Sequence, residues 1–177
     1  MSIGYACLNI GTPNTNIRSV MQRNATPEKL TEVTTHNLAA LEKMIDYNRK
    51  NNIQLFRISS DLIPFGSSPV NALPWWDIHA EAFQHIGAKI RKSGMRVSFH
   101  PGQYTVLNSP DEDVVARAIL DLAYHAKMLE CLGVDNQHKI VLHVGGIYGD
   151  KKEALQRFEL NFRRLPEAVR NRLIIEN

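Results

Sequence analysis

Three apolar runs in this chain end on residues that bind metals. Val97-Ser98-Phe99 leads into His100, Ile140-Val141-Leu142 into His143, and Leu173-Ile174-Ile175 into Glu176. Read as parallel strands, the runs place one potential ligand each at the same relative depth. Neighbouring parallel strands lie about 4.8 Å apart, so side chains on three adjacent strand ends can converge on one metal cluster. A lone strand-end histidine is more often a satisfied structural side chain. Three ligands in register, each directly after a buried β run, favour a shared site. Histidine and carboxylate together suit zinc or manganese better than magnesium or calcium.

Other residues leave two readings open. Arg57 lies inside an apolar run, and a buried guanidinium needs a partner because breaking a buried pair costs about 3–5 kcal/mol. That partner is either an acid such as Asp61, in a structural ion pair, or a phosphate. The segment Gly145-Gly146-Ile147-Tyr148-Gly149-Asp150-Lys151-Lys152 is glycine-rich and opens a helix. It lacks the GK[ST] ending of a P-loop. Lys151 and Lys152 either meet a phosphate there or decorate a solvated turn. His36, His79, His85 and His138 read as surface residues, and His125 as a packing or hydrogen-bonding residue on a helix. Trp75-Trp76 reads as a hydrophobic anchor. Cys7 and Cys131 have no CxxC spacing and read as buried thiols. No GxSxG elbow is present.

The elements that must position these residues follow from periodicity. Short apolar runs alternate with longer helical patterns, which points to βαβ units and a parallel sheet. The strands read as Ile3 to Leu8, Ile53 to Ile58, Met95 to Phe99, Lys139 to Leu142 and Leu173 to Ile175. Thr26 caps the first long helix, with Pro27 at its first position and a stripe of Leu30, Val33, Leu38, Leu41, Met44 and Ile45. The second helix starts near Asp77, turns Ile78, Ala82, Ile86 and Ile90 inward, and stops at Gly94. Ser109-Pro110-Asp111-Glu112 reads as a capping box opening a third helix that ends at Gly133. Asp150 caps a fourth, with a stripe of Leu155, Phe158 and Phe162, and Pro166 breaks it before a short turn at Glu167 to Arg170.

Five strands and four main helices are a little over half of a TIM-type (β/α)8 barrel, which has eight of each. The fold class is α/β, with residues 1–177 as one domain forming the N-terminal part of a barrel; an open five-stranded sheet ranks second. The 177 residues, 44% hydrophobic and 22% charged, suffice for one core. No apolar run nears the roughly 20 residues of a membrane helix, and the start lacks a signal-peptide pattern, so the expected location is cytoplasmic, with no membrane partner. The net charge of +3 permits a nucleic-acid partner without establishing one, since the basic residues are scattered.

Several strings together resemble the UV damage endonucleases. They are Gly4-Tyr5-Ala6-Cys7-Leu8-Asn9, Phe56-Arg57-Ile58-Ser59-Ser60-Asp61, Ser98-Phe99-His100-Pro101-Gly102-Gln103-Tyr104, Leu142-His143-Val144-Gly145-Gly146 with Tyr148-Gly149-Asp150-Lys151, and Glu176-Asn177. The resemblance covers essentially the whole chain, in the family's order and spacing. It implies a TIM-type barrel related to apurinic endonucleases and xylose isomerase-like enzymes. It implies a DNA repair endonuclease that nicks damaged double-stranded DNA immediately 5′ to a UV photoproduct, without a nucleotide cofactor. His100, His143 and Glu176 fall on metal-ligand positions for divalent ions, manganese first with zinc or magnesium as alternatives. Gln103 and Tyr104 fall on residues inserted at the lesion, Tyr5 and Asn9 on residues lining the damage pocket, and Arg57 and Lys151 are added as DNA contacts. Ser68 stands where the family often has a histidine, and further ligands would come from strands six to eight. Two other readings remain: a metal-dependent sugar isomerase or epimerase on the same barrel, and a non-catalytic half-barrel fragment that pairs through its open edge. The oligomeric state is left open.

Overall fold

The computed structural model describes residues 3–176; Met1, Ser2 and Asn177 lie outside the described residues, and with them the last residue of the Glu176-Asn177 string. Strands β1 (Gly4–Ala6), β2 (Leu55–Arg57), β3 (Arg96–Phe99), β4 (Lys139–His143) and β5 (Leu173–Glu176) form one parallel sheet in the order 1-2-3-4-5. Consecutive strands that pair in chain order, each pair joined by a segment carrying one or two helices, are the wiring of a TIM barrel. The helices are α1 (Pro27–Lys50), α2 (Trp75–Ile78), α3 (Ala80–Ser93), α4 (Glu112–Cys131), α5 (Lys151–Arg163) and α6 (Glu167–Arg170).

Alternation along the strands separates two faces. Phe56, Ile58, Val97, Phe99, Ile140 and Leu142 are buried under the helices, and the whole α1 stripe is buried with them. On the other face Arg57, Arg96, Ser98, Lys139 and Val141 line a concave trough of about 520 Å³. The local signals for α1 and α5 hold. Thr26 Oγ1 accepts from Lys29 N–H, and Asp150 accepts from the N–H groups of Lys152 and Glu153.

Four expectations are corrected. The second helix is two helices, broken at His79, so the inner face is Phe83, Ile86, Gly87 and Ile90, while Ile78 is exposed. The break lets Trp75 bury among Phe83 and Tyr124. The cap of α4 is Asp111, which accepts from Asp113 and Val114 N–H; Ser109 instead accepts from Asp111 N–H in the turn before it. On α5 the buried places are Ala154 and Asn161, with Phe158 and Phe162 partly buried and Leu155 exposed, because Asn161 turns inward to donate to the Leu107 carbonyl at 2.8 Å. The cysteines are unbridged and half-buried rather than buried.

His79 and His138 are also buried rather than on the surface. His138 Nδ1 accepts the Val97 N–H at 3.0 Å, tying β4's entry to β3. Burial pushes both imidazoles below their ordinary value. The unfolded rings take up a proton near about pH 6.5, before the folded rings do, so the unfolded state binds more protons below that point and stability rises with pH. The urea midpoint is therefore expected to fall from pH 7.5 to pH 5.0, and His138→Gln to flatten part of that slope. An unchanged slope in the variant would remove His138 from the account.

Candidate functional site

The ends of β3, β4 and β5 bring three predicted residues together. In the β4–β5 register His143 sits opposite Glu176, and His100 is the first residue past β3. One ligand atom from each of His100, His143 and Glu176 lies within 4.8 Å of the others. The two imidazole centroids are 4.9 Å apart. His100 is half-buried; His143 and Glu176 are exposed.

Hydrogen bonding fixes how the rings are presented. His100 Nδ1 lies 3.0 Å from the Pro101 carbonyl oxygen, and His143 Nδ1 lies 3.3 Å from the Glu176 carbonyl oxygen. A carbonyl only accepts, so in both rings Nδ1 carries the hydrogen and, in the neutral ring, Nε2 carries the lone pair. This is the arrangement metal-binding histidines adopt, with the far nitrogen anchored to a backbone carbonyl. His100 Nε2 then points its lone pair at Glu176 Oε2, 3.1 Å away. Two acceptors at that distance repel unless a proton or a cation lies between them. Ligands on one tetrahedral ion with bonds of about 2.0–2.1 Å lie about 3.3–3.4 Å apart, close to the 3.1 Å between His100 Nε2 and Glu176 Oε2. The donor set fits a divalent metal.

Gln103 and Tyr104 occupy the tip of a turn closed by Thr105 N–H to the Gly102 carbonyl at 3.0 Å. Both are exposed, Tyr104 at 82%. Thr105 Oγ1 donates to Asp121 Oδ2 at 2.7 Å, which fastens the turn to α4. Beside it opens a cleft of about 600 Å³, lined among others by Cys7, Asp61, Ser68, His100, Thr105 and Asp121. Ser68 Oγ accepts from Val70 N–H within its own loop.

The remaining predicted residues lie around this end of the sheet or within the trough. Tyr5 is half-buried against Phe56, with centroids 4.9 Å apart, and Asn9 Nδ2 donates to its hydroxyl at 3.3 Å. Cys7, between them, takes φ 62°, a conformation uncommon outside glycine, and its N–H donates to the Arg57 carbonyl. Arg57 is half-buried in the trough beside Arg96 and Lys139, and among the described residues no ion pair to Asp61 forms. Lys151 is exposed at the first position of α5. The loop before it crosses Asn108 closely: a Cβ at Gly145, whose φ is 101°, would lie 2.2 Å from Asn108 Oδ1. What the sequence did not reveal is a polar group beneath His100. Ser60, Asp121, Tyr124 and His125 belong to it, and their only linear hint is the i,i+4 spacing of Asp121 and His125 on one helix face.

The sheet and its strand-end cluster define an α/β chain of the TIM-barrel type. Residues 2–177 match the family model described as UV-endonuclease UvdE, and the chain belongs to that family. Curated relatives include the UV DNA damage endonuclease of Clostridium perfringens, 44% identical over 177 residues, covering 100% of this chain and 43% of that protein. The UV DNA damage endonuclease of Bacillus velezensis is 37% identical over 157 residues, 89% of this chain and 49% of that protein. The chain thus spans under half the length of these relatives. The crystal structure of SacUVDE superposes with a TM-score of 0.96 at 38% identity, covering 100% of this chain and 61% of that one. Endonuclease IV from Thermus thermophilus (TM-score 0.50, 21% identity, 77% and 46% covered) and D-psicose 3-epimerase from Clostridium cellulolyticum (0.50, 18%, 76% and 45%) share the fold. No described helix is long and apolar enough to cross a membrane.

Proposed function

We propose that this chain contributes the first ligands of the metal centre of a DNA repair endonuclease, which nicks the phosphodiester backbone immediately 5′ to UV photoproducts in duplex DNA. The observation that carries the reading is the pair of histidines anchored at Nδ1 and gathered with Glu176 so that one ligand atom of each lies within 4.8 Å of the others. The relatives' shared name, UV DNA damage endonuclease, supports the substrate class. The equal likeness to an epimerase and to endonuclease IV is one of fold and favours neither chemistry.

His100 and His143 present Nε2 lone pairs, and Glu176 supplies the balancing negative charge. A divalent ion held there, manganese first and zinc or magnesium as alternatives, would supply positive charge to a phosphodiester and acidify water at neutral pH. The Gln103–Tyr104 tip stands on a turn fastened to α4, so it can fill the gap left when a damaged base pair leaves the stack. A lesion with weakened pairing costs less to extrude, which selects damage without reading sequence. Tyr5 and Asn9 line the space beside β1. Arg57 and Lys151 meet backbone phosphates; because Asp150 already occupies the first amides of α5, the contact at Lys151 is through its side chain.

The test is nicking of end-labelled, UV-irradiated duplex by the full-length protein in Mn2+, with a cut 5′ to the photoproduct and none in chelator. No nicking by that protein under any divalent metal would overturn the reading. Replacing Gln103 and Tyr104 together by alanine is expected to weaken binding of irradiated duplex by roughly 10- to 100-fold, since base–aromatic stacking is worth about 1–3 kcal/mol. The melting temperature should hold, because both side chains are exposed. A sugar epimerase would keep its turnover in that variant.

A further inference from the structure

The polar group beneath His100 has no role in the reading above. His125 sits on α4 with no solvent exposure. Its Nδ1 lies 2.7 Å from the Asp121 carbonyl oxygen, so Nδ1 carries the hydrogen. Its Nε2, then the acceptor, lies 2.9 Å from Ser60 Oγ, and the same hydroxyl lies 3.1 Å from the carbonyl oxygen of His100, so its one hydrogen serves either acceptor but not both at once. Ser60 is itself held from behind: Tyr124 donates its hydroxyl to the Ser60 carbonyl at 3.0 Å, and that hydroxyl accepts from Ile63 N–H at 3.2 Å. One residue before His100, the Phe99 ring packs edge-on against the His125 ring, with centroids 5.3 Å apart. Phe99 immediately precedes His100 and is fully buried.

His125 therefore bears on the Phe99–His100 backbone directly through the Phe99 ring, and the Ser60 hydroxyl stands between its Nε2 and the His100 carbonyl, donating to one or the other. Buried polar side chains are retained where their hydrogen bonds fix a geometry, and here the Ser60 hydroxyl is held between the buried His125 ring and the His100 carbonyl. The peptide it holds sets where the His100 ring stands, and the ring is then turned by its Nδ1 bond to the next carbonyl along the chain. We infer that Ser60 and His125 are positioning residues for His100, setting the aim of its Nε2 at the point shared with His143 and Glu176. The inference rests on the metal-centre reading and names residues that act through His100 without touching the ion. Partners that orient a ligand from behind typically change metal affinity by 10- to 100-fold.

The experiment uses Co2+ as probe, with both affinity and the visible absorption band as readouts, on the whole chain. Ser60→Ala is expected to weaken Co2+ binding by roughly 10-fold or more and to shift the band, while its melting temperature stays within a few degrees of wild type. Ser60→Thr, which keeps the hydroxyl, is expected to restore both. His125→Phe, which keeps the ring against Phe99 and removes the nitrogens, should show the same weakened binding. Should that variant fail to fold, the Ser60 pair still decides. A folded Ser60→Ala protein that binds Co2+ with wild-type affinity and an unchanged band would overturn the inference while leaving the metal centre standing. A wild-type chain with no Co2+ binding sensitive to His100→Ala would overturn both, and that outcome is read from the wild type and His100→Ala alone.

Discussion

Replacing His143 by alanine is expected to lower Mn2+ affinity by more than about 100-fold and to abolish nicking of irradiated duplex, with little change in folding. Loss of a partner behind a ligand already costs 10- to 100-fold, so loss of a ligand itself should exceed that range. The side chain is exposed, and its one hydrogen bond among the described residues, to the Glu176 carbonyl, is long at 3.3 Å. Substitutions at such positions usually stay within about 0.5 kcal/mol of wild-type stability. Isothermal titration with Mn2+ and a melting curve on the same sample separate the two effects. A variant that keeps wild-type affinity would remove His143 from the centre, and a variant that unfolds would show that the strand end is held by the ring.

Phe99→Ala is expected to produce the largest loss of stability among simple truncations near the site, about 3–5 kcal/mol. The ring is fully buried, belongs to the central cluster, and touches His125. For a domain of this size that loss corresponds to a fall in melting temperature of roughly 6–20 °C. Phe99→Leu keeps most of the volume and should cost less than about 1.5–2 kcal/mol. The cavity left by alanine lies directly under the His100 peptide, so Co2+ affinity should fall in the alanine variant more than in the leucine variant. Urea denaturation of the three proteins at pH 7.5 measures the first effect and cobalt titration the second. A loss below about 1 kcal/mol for alanine would mean that the site collapses readily and that His100 does not depend on a rigid floor.

Those elements whose signals are local were readable from the chain alone. Thr26-Pro27 and Asp150 begin helices because each cap satisfies amides within three residues, and the α1 stripe is buried as its period requires. The capping box at Ser109 was misplaced by two residues, since Asp111 offers the same chemistry closer to the helix and Pro110 fits before either start. The break at His79 was not legible, because it is set by Trp75 finding space against Phe83 and Tyr124, neighbours distant in the chain. The same holds for the burial of His79 and His138. Leu155 is exposed where the stripe expected it inward, and Asn161, which the stripe did not include, is buried to donate to the Leu107 carbonyl 54 residues away.

At the site, strand-end depth was enough to draw His100, His143 and Glu176 together, since parallel register is a regular geometry. What sequence could not show is how each ring is turned. That depends on one carbonyl next door at Pro101 and one across the sheet at Glu176. The group of Ser60, Tyr124, Asp121 and His125 was hidden for the same reason: it joins a loop after β2 to the inner face of α4.

The centre itself is tested most directly by anomalous diffraction at the manganese edge from crystals grown with Mn2+. The account predicts an anomalous peak within about 2.0–2.3 Å of His100 Nε2, His143 Nε2 and a Glu176 carboxylate oxygen. Manganese bound elsewhere, or no peak between these three side chains at saturating metal, would contradict it.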